Sequence, residues 1–230
     1  MHIPQTHKIS AEEAGHLLKK AQDIGLQIRY EETKHQLIFE TNLDWLAKLY
    51  LPWTWEYSAE LQKKYDSHYV LGLVKAGQAS VGYFHEGILI DHKVFRAYMV
   101  RQKQGVSQIK HLKTKGKSRA GSRIRLAETE RFFNEIKERM KSYSDKFPID
   151  FWGISCSKTL WPFLFSTDTP SPFSKDNEKL IELPFHIHQG SFEEIKEAGE
   201  ILQSFHLLVS EEGKTIFEKM PKKTSEDENW

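Results

Sequence analysis

The chain has 230 residues, 39% hydrophobic and 28% charged, which is the composition of an ordinary soluble protein large enough to bury a core. Its single cysteine, Cys156, excludes an internal disulfide and any cysteine-based zinc finger, and no run approaches the roughly 18 apolar residues of a membrane span. The net charge of +1 argues by itself against nucleic-acid binding, yet eleven Lys/Arg and no acid fall between His92 and Ala127, leaving 22 bases against 32 acids elsewhere.

The first ten residues contain no apolar signal-peptide core, so a cytoplasmic protein is expected. Ser10 to Gly25 reads as a helix, with Ser10 and Glu13 as a capping box, Gly25 as the stop, and Leu17, Leu18, Ala21 and Ile24 as the apolar stripe. Leu26–Tyr30 and Gln36–Glu40 read as two short strands. Leu43–Tyr57 follows with Trp45, Trp53 and Trp55, for which core packing is a plainer reading than a docking surface. From Ser67 the pattern is β: Tyr69–Val74, Ala79–Phe84, Gly87–Ile90 and Val94–Val100 predict an antiparallel meander with turns at Gly77 and Glu86-Gly87.

Arg101–Arg119 has only Val106, Ile109 and Leu112 as large apolar residues and reads as a long exposed loop. Beyond it, Ser122 to about Tyr143 predicts a helix whose buried stripe is Ile124, Ala127, Phe132, Ile136 and Met140, with Phe133 beside it. Ile149–Ser155 predicts a strand, Trp161–Thr169 an apolar run, and Lys179–Leu183 a further strand. Ser191–Leu202 predicts a helix with a second capping box at Ser191 and Glu194, and His206–Ser210 a last strand. Glu211–Trp230 reads as a frayed or disordered polar tail.

The loop carries seven Lys/Arg and no acid. Unshielded like charges repel unless a polyanion arrives. Arg119, Arg123 and Arg125 sit around the expected helix start, where each cation opposes the helix dipole by roughly 0.3–1 kcal/mol. A phosphate at that place would be held by arginines, backbone N–H groups and dipole together. The segment therefore points to RNA or ribosome binding, and phosphate contacts alone would carry no sequence specificity. Its Gly105-Val106-Ser107-Gln108 tip suits hydrolysis of an ester attached to RNA. Glutamine has no useful pKa, but it orients water or donates an N–H to an oxyanion, and glycine lets the backbone approach a substrate closely.

The run from His92 to Gln108, followed by Lys117-Ser118-Arg119-Ala120-Gly121-Ser122-Arg123-Ile124-Arg125, resembles the release-factor-like domain of the ribosome-quality-control peptidyl-tRNA hydrolases. The resemblance spans residues 67–210 and is strongest over 92–140. The family is related to the middle domain of eukaryotic and archaeal class I release factors. It implies an α+β or α/β fold, a mixed and largely antiparallel sheet flanked by helices; residues 1–66 read as a separate small α+β part and 211–230 as the polar tail. It implies catalytic roles for Gln108, with Gly105 and Ser107 beside it. It implies RNA contacts from Arg101, Lys103, Lys110, Lys113, Lys115, Lys117, Arg119, Arg123 and Arg125. The implied partners are the large ribosomal subunit and peptidyl-tRNA, met by a monomer with no membrane, cofactor or metal. Some family members are thought to cut tRNA near its CCA end, and a non-catalytic ribosome or RNA adaptor is the other alternative.

Val106-Ser107 stands where true release factors have Gly-Gly, and Leu126-Ala127-Glu128-Thr129 departs from the family's Arg-Tyr-Asn-Glu. The eukaryotic members' zinc finger and ankyrin repeats are not found, so a bacterial or minimal member is expected, with recruitment through residues 1–66. His186 and His188 have strand spacing, and Asp91-His92 is a further polar pair. A metal needs three or four convergent ligands, and spacing assembles no such set. Cys156 lies in a strand-like run and reads as a small hydrophobe rather than a nucleophile. Neither a nucleophile elbow nor a P-loop is found in the sequence.

Overall fold

Local signals set most element boundaries, and they can be checked directly against the computed structural model, which describes residues 1–97, 117–165 and 169–217, with 117–126 described by backbone alone. In chain order the elements are β1 (His7–Ile9), α1 (Ala11–Asp23), β2 (Gln27–Glu31), β3 (Gln36–Glu40), β4 (Trp45–Tyr50), β5 (Trp55–Tyr57), β6 (Leu61–Lys63), β7 (His68–Lys75), β8 (Gln78–His85) and β9 (Ile88–Arg96). They continue with α2 (Lys117–Ser144), β10 (Phe151–Cys156), α3 (Trp161–Leu164), β11 (Leu180–Glu182), α4 (Phe192–Ile201), β12 (Phe205–Val209) and α5 (Glu211–Phe217). Both expected capping boxes are present: Ser10 with Glu13 starts α1, and Ser191 with Glu194 starts α4.

Two five-stranded sheets organise these elements. The first has the order β1-β12-β4-β3-β2 and is antiparallel throughout. Ala14, Leu17, Leu18 and Ala21 of α1, with Phe217 of α5, pack on it against Leu37, Phe39, Leu49 and Leu207. The second has the order β11-β10-β7-β8-β9. Its β7-β8-β9 part is the expected meander, while β10 runs parallel to both β7 and β11. The protein is therefore α+β, with mixed, largely antiparallel sheets.

β7 is buried on both faces, as a strand covered by helices on each side must be. Tyr69, Leu71 and Leu73 belong to a core with Ile195 and Ala198 of α4, and Val70 and Val74 to a core with Phe132, Ile136 and Met140 of α2. Two glycines let the helices come this close. A Cβ on Gly72 would collide with the Met140 methyl, and one on Gly199 with the Phe84 ring. Trp53 packs edge-on to Tyr69 at 5.2 Å and tilted to Phe151 at 5.6 Å, so it is core. Trp55 meets Phe205 at 5.0 Å, while Trp45 lies at the surface beneath the Lys48 ammonium.

The structure departs from expectation at several points. Ile24 is 49% exposed because α1 ends at Asp23, and Ala14 takes its place in the stripe. The segments expected at Gly87–Ile90 and Val94–Val100 are joined in one strand, β9, over Ile88–Arg96, whose polar centre belongs to a sheet edge; 98–100 lie outside the described residues. α2 starts at Lys117 rather than Ser122 and runs through Gly121, so Lys117, Ser118 and Arg119 are helical rather than loop. Ala127 is exposed while Thr129 and Phe132 are buried, and the side chain of Ile124 lies outside those described. Residues 211–217, expected as tail, form α5 with Phe217 buried. β12 pairs with β1 and β4, in the first sheet.

Candidate functional site

The charged segment is rooted at one end of the second sheet. There Arg96 of β9 lies across from Gln78, and the Ala97 N–H donates to the Gly77 carbonyl at 2.9 Å. Gly77 turns the chain with φ +84°, and Cys156 at the end of β10 sits beside Val74 at the same level. The turn before α4 closes over this end. A Cβ on Gly190, which has φ +77°, would meet the Leu73 carbonyl oxygen. Glu194 fixes that turn by accepting backbone N–H groups from His188 at 2.5 Å, Gln189 at 2.8 Å and Gly190 at 2.5 Å. Partial burial opposes ionisation of Glu194, but the donors together hold its carboxyl below the usual range.

From the same end, α2 descends along the sheet. Phe133 stacks on Phe163 at 5.6 Å, Met140 reaches Gly72, and Tyr143 stacks on Tyr83 at 5.4 Å. Arg139 clasps Asp91 of β9 at 2.5 Å and lies over the Tyr143 ring, fixing helix to strand. Counting back along the axis, Lys117 stands about 22 Å before Phe132 at 1.5 Å per residue. Those first turns hold Lys117, Arg119, Arg123 and Arg125, and the first turn carries no acid. Arg101, Lys103, Gly105, Ser107, Gln108, Lys110, Lys113 and Lys115 lie outside the described residues.

At the opposite end of the sheet, Asp66, His68 and His85 converge, a group that spacing did not assemble. The Asp66 Oδ1 atom is 3.1 Å from His68 Nε2 and 2.9 Å from His85 Nε2. His68 is buried and its Nδ1 lies 2.7 Å from the Tyr83 hydroxyl. A signal was available: pairing about the Gly77 turn puts His68 directly opposite His85, and Asp66 precedes His68 by two residues.

The remaining candidates resolve simply. Burial pushes the Cys156 thiol up to about 11, which suits a packed sulfur rather than a thiolate nucleophile. His186 and His188 are both exposed, alternating with buried Phe185 and Ile187 in a stretch outside the strands. Asp91 pairs with Arg139, and His92 stacks on Phe192 at 4.4 Å. A concavity of about 520 Å³ lies on the first sheet between Arg29, Glu40, Trp45 and Lys48, away from the root of the charged segment. No described helix is long and apolar enough to cross a membrane.

Comparison with known proteins gives one family. The sequence pattern described as "Bacteroidetes VLRF1 release factor" matches residues 69–210, close to the 67–210 implied by the resemblance. No curated protein matches the chain. Among solved structures it is similar to one described as "Vms1 mitochondrial localization core", with a TM-score of 0.45 and 12% identity, covering 89% of this chain and 98% of that one.

Proposed function

Because the chain belongs to the Bacteroidetes VLRF1 release factor family, we propose that it is a release-factor-like hydrolase that frees nascent chains from peptidyl-tRNA on stalled large ribosomal subunits. The observation that carries this reading is the family match itself, which runs from β7 to the end of β12 and encloses the segment of eleven bases without an acid. Gln108 positions the attacking water and donates an N–H to the developing oxyanion, with Gly105 and Ser107 shaping the backbone around it. Arg101, Lys103, Lys110, Lys113, Lys115, Lys117, Arg119, Arg123 and Arg125 hold phosphates of tRNA or ribosomal RNA. Water attacks the ester carbonyl, and the tRNA 3′ oxygen leaves with a proton. No side chain with a titrating pKa is needed, because the ester is already reactive and the contribution is orientation and charge.

The test uses large subunits carrying peptidyl-tRNA. The wild-type chain releases peptide, and Gln108→Ala still binds in a salt-sensitive manner but releases none. Release at the wild-type rate by Gln108→Ala removes the glutamine from catalysis. The tRNA product decides the chemistry: an intact CCA end means ester hydrolysis, and a shortened end means a nuclease. Binding without either product leaves only an adaptor.

A further inference from the structure

The geometry points to a divalent metal site of the zinc class formed by Asp66, His68 and His85, at the end of the second sheet remote from the charged segment. The ligand atoms are Asp66 Oδ1, His68 Nε2 and His85 Nε2, and they lie within 4.8 Å of one another. A tetrahedral ion with bonds of about 2.0–2.1 Å requires ligand atoms about 3.3 Å apart. The separations of 3.1 and 2.9 Å from the carboxylate oxygen to the two imidazole nitrogens are near that value. Opening those two separations to admit an ion takes only a few tenths of an ångström.

Three features hold the ligands in this arrangement. First, His68 and His85 are cross-strand partners at the ends of β7 and β8, so the hairpin fixes both rings on one side; they stack at 4.6 Å with planes 14° apart. Second, the His68 ring lies parallel to Tyr83 and Phe147, each at 6.0 Å. Third, Asp66 adopts a left-handed backbone, φ +55°, and its N–H donates to the Glu86 carboxylate at 3.0 Å, aiming its side chain back at the histidines. The cluster is graded in exposure: the side chain of His68 is 9% exposed, that of His85 39% and that of Asp66 78%. Three protein ligands, one anchored in the core, leave the outer coordination positions to water.

The Tyr83 hydroxyl, 2.7 Å from His68 Nδ1, is the outer partner that a metal-bound imidazole needs. With metal on Nε2, the proton of neutral His68 resides on Nδ1 and is donated to the Tyr83 oxygen. Without metal, Nε2–H donates to Asp66 and the tyrosine hydroxyl donates to Nδ1. Tyr83 accommodates both tautomers by turning one O–H bond. The ion would tie the segment entering β7 to β7 and β8, while Lys64 and the His68 N–H share the Asp150 carboxylate close by. The pair His68–His85 and the last pair Lys75–Gln78 are seven residues apart along β7, about 23 Å at 3.3 Å per residue. The site stands independently of the proposed hydrolysis.

The 230-residue chain, stripped with a chelator and dialysed, is titrated with zinc chloride by calorimetry and with cobalt chloride by visible absorption. One zinc per chain binds at this site, cobalt gives the intense bands of a tetrahedral centre, and zinc raises the melting temperature. Asp66→Asn and His85→Ala, at partly exposed positions, fold without metal and lose the cobalt bands and the melting shift. Tyr83→Phe binds about 10–100-fold more weakly. His186→Ala leaves all three readouts intact. Absence of saturable binding, or binding unchanged in both Asp66→Asn and His85→Ala, overturns the assignment. Circular dichroism of the metal-free variants separates a lost site from a lost fold.

Discussion

His35 offers a quantitative test of how the two sheets are joined. It lies between β2 and β3 with φ +50°, it is 1% exposed, and its ring meets Phe151 of the second sheet at 4.9 Å. The Pro52 carbonyl can only accept, so Nε2 carries the proton and donates to it at 3.1 Å, and Nδ1 accepts from the Tyr30 hydroxyl at 2.6 Å. The neutral ring is fully satisfied. Burial pushes its pKa down from 6.5 to about 4, overcoming the opposing effect of the Pro52 bond. A depressed histidine pKa means the unfolded chain takes up the proton first as pH falls. The stability is therefore whole above pH 6.5 and declines until the folded pKa is passed. Linkage gives a loss of about 2 kcal/mol by pH 5 and about 3 kcal/mol by pH 4. His35→Asn keeps a residue that tolerates the left-handed backbone but cannot titrate. Urea unfolding of both proteins at pH 7.5 and pH 5 isolates the term, since every other titrating group is common to them. The stability gap between wild type and variant narrows by about 2 kcal/mol at the lower pH. A gap constant to within about 0.5 kcal/mol would refute the buried neutral imidazole.

Three further outcomes are expected. Glu194→Gln gives up the charge shared by the turn donors and sets an amide N–H₂ against at least one of them; it costs about 1–3 kcal/mol in urea unfolding at pH 7. Because the Glu194 pKa is lowered on folding, that cost is fully present above the ordinary carboxylate pKa and is lost as pH falls through the folded value; a cost that does not shrink on acidification contradicts the role. Gly213→Ala drives a methyl into the Leu46 carbonyl and displaces α5 from β4, costing about 1–3 kcal/mol, with faster amide exchange confined mainly to 211–217; unchanged exchange there contradicts the packing. Cys156 reacts slowly with a disulfide reagent at pH 8 and faster as pH rises toward about 11, and Cys156→Ala retains peptide release; a thiol that is fast at pH 7 would mean an exposed thiolate.

Local chemistry was readable and non-local chemistry was not. Both capping boxes are contained in four consecutive residues, and the meander strands alternate or run apolar within single hairpins, so each signal was complete in the sequence. α2 starts five residues ahead of the expected Ser122, because the helix accommodates Gly121 and Ser122 in its interior. β9 reads as two segments in the sequence because Asp91, His92 and Lys93 break its apolar run. Asp91 and His92 have partners on α2 and α4, Arg139 and Phe192, which no window of sequence contains. The place of β12 in the first sheet depends on pairing with Ala47–Tyr50, some 160 residues earlier. For Asp66, His68 and His85 the missing step was small: a two-residue turn centred on Ala76-Gly77 fixes the register, and the register fixes the pair.

Charge shows most clearly what topology adds to composition. A net charge of +1 describes neither part of a chain in which eleven bases fall between His92 and Ala127 and acids outnumber bases elsewhere by ten. The fold begins and ends that basic stretch on two elements held to each other, β9 and α2, joined by Arg139 to Asp91. Elsewhere carboxylates mark turns and helix starts: Glu13 and Glu194 in capping boxes, Asp66 and Asp150 at the far end of the sheet. Acids there favour helix N-termini, which the dipole rewards, whereas the first turn of α2 has none and carries cations against its dipole. An unfavourable arrangement of this kind is expected where an anion supplied by a partner completes the electrostatics, and α2, about 42 Å long at 1.5 Å per residue, has its other half anchored in the core. Burial of Phe132, Phe133, Ile136, Met140 and Tyr143 therefore offsets the repulsion at its start, and a phosphate arriving there would meet a helix already formed rather than one it must order.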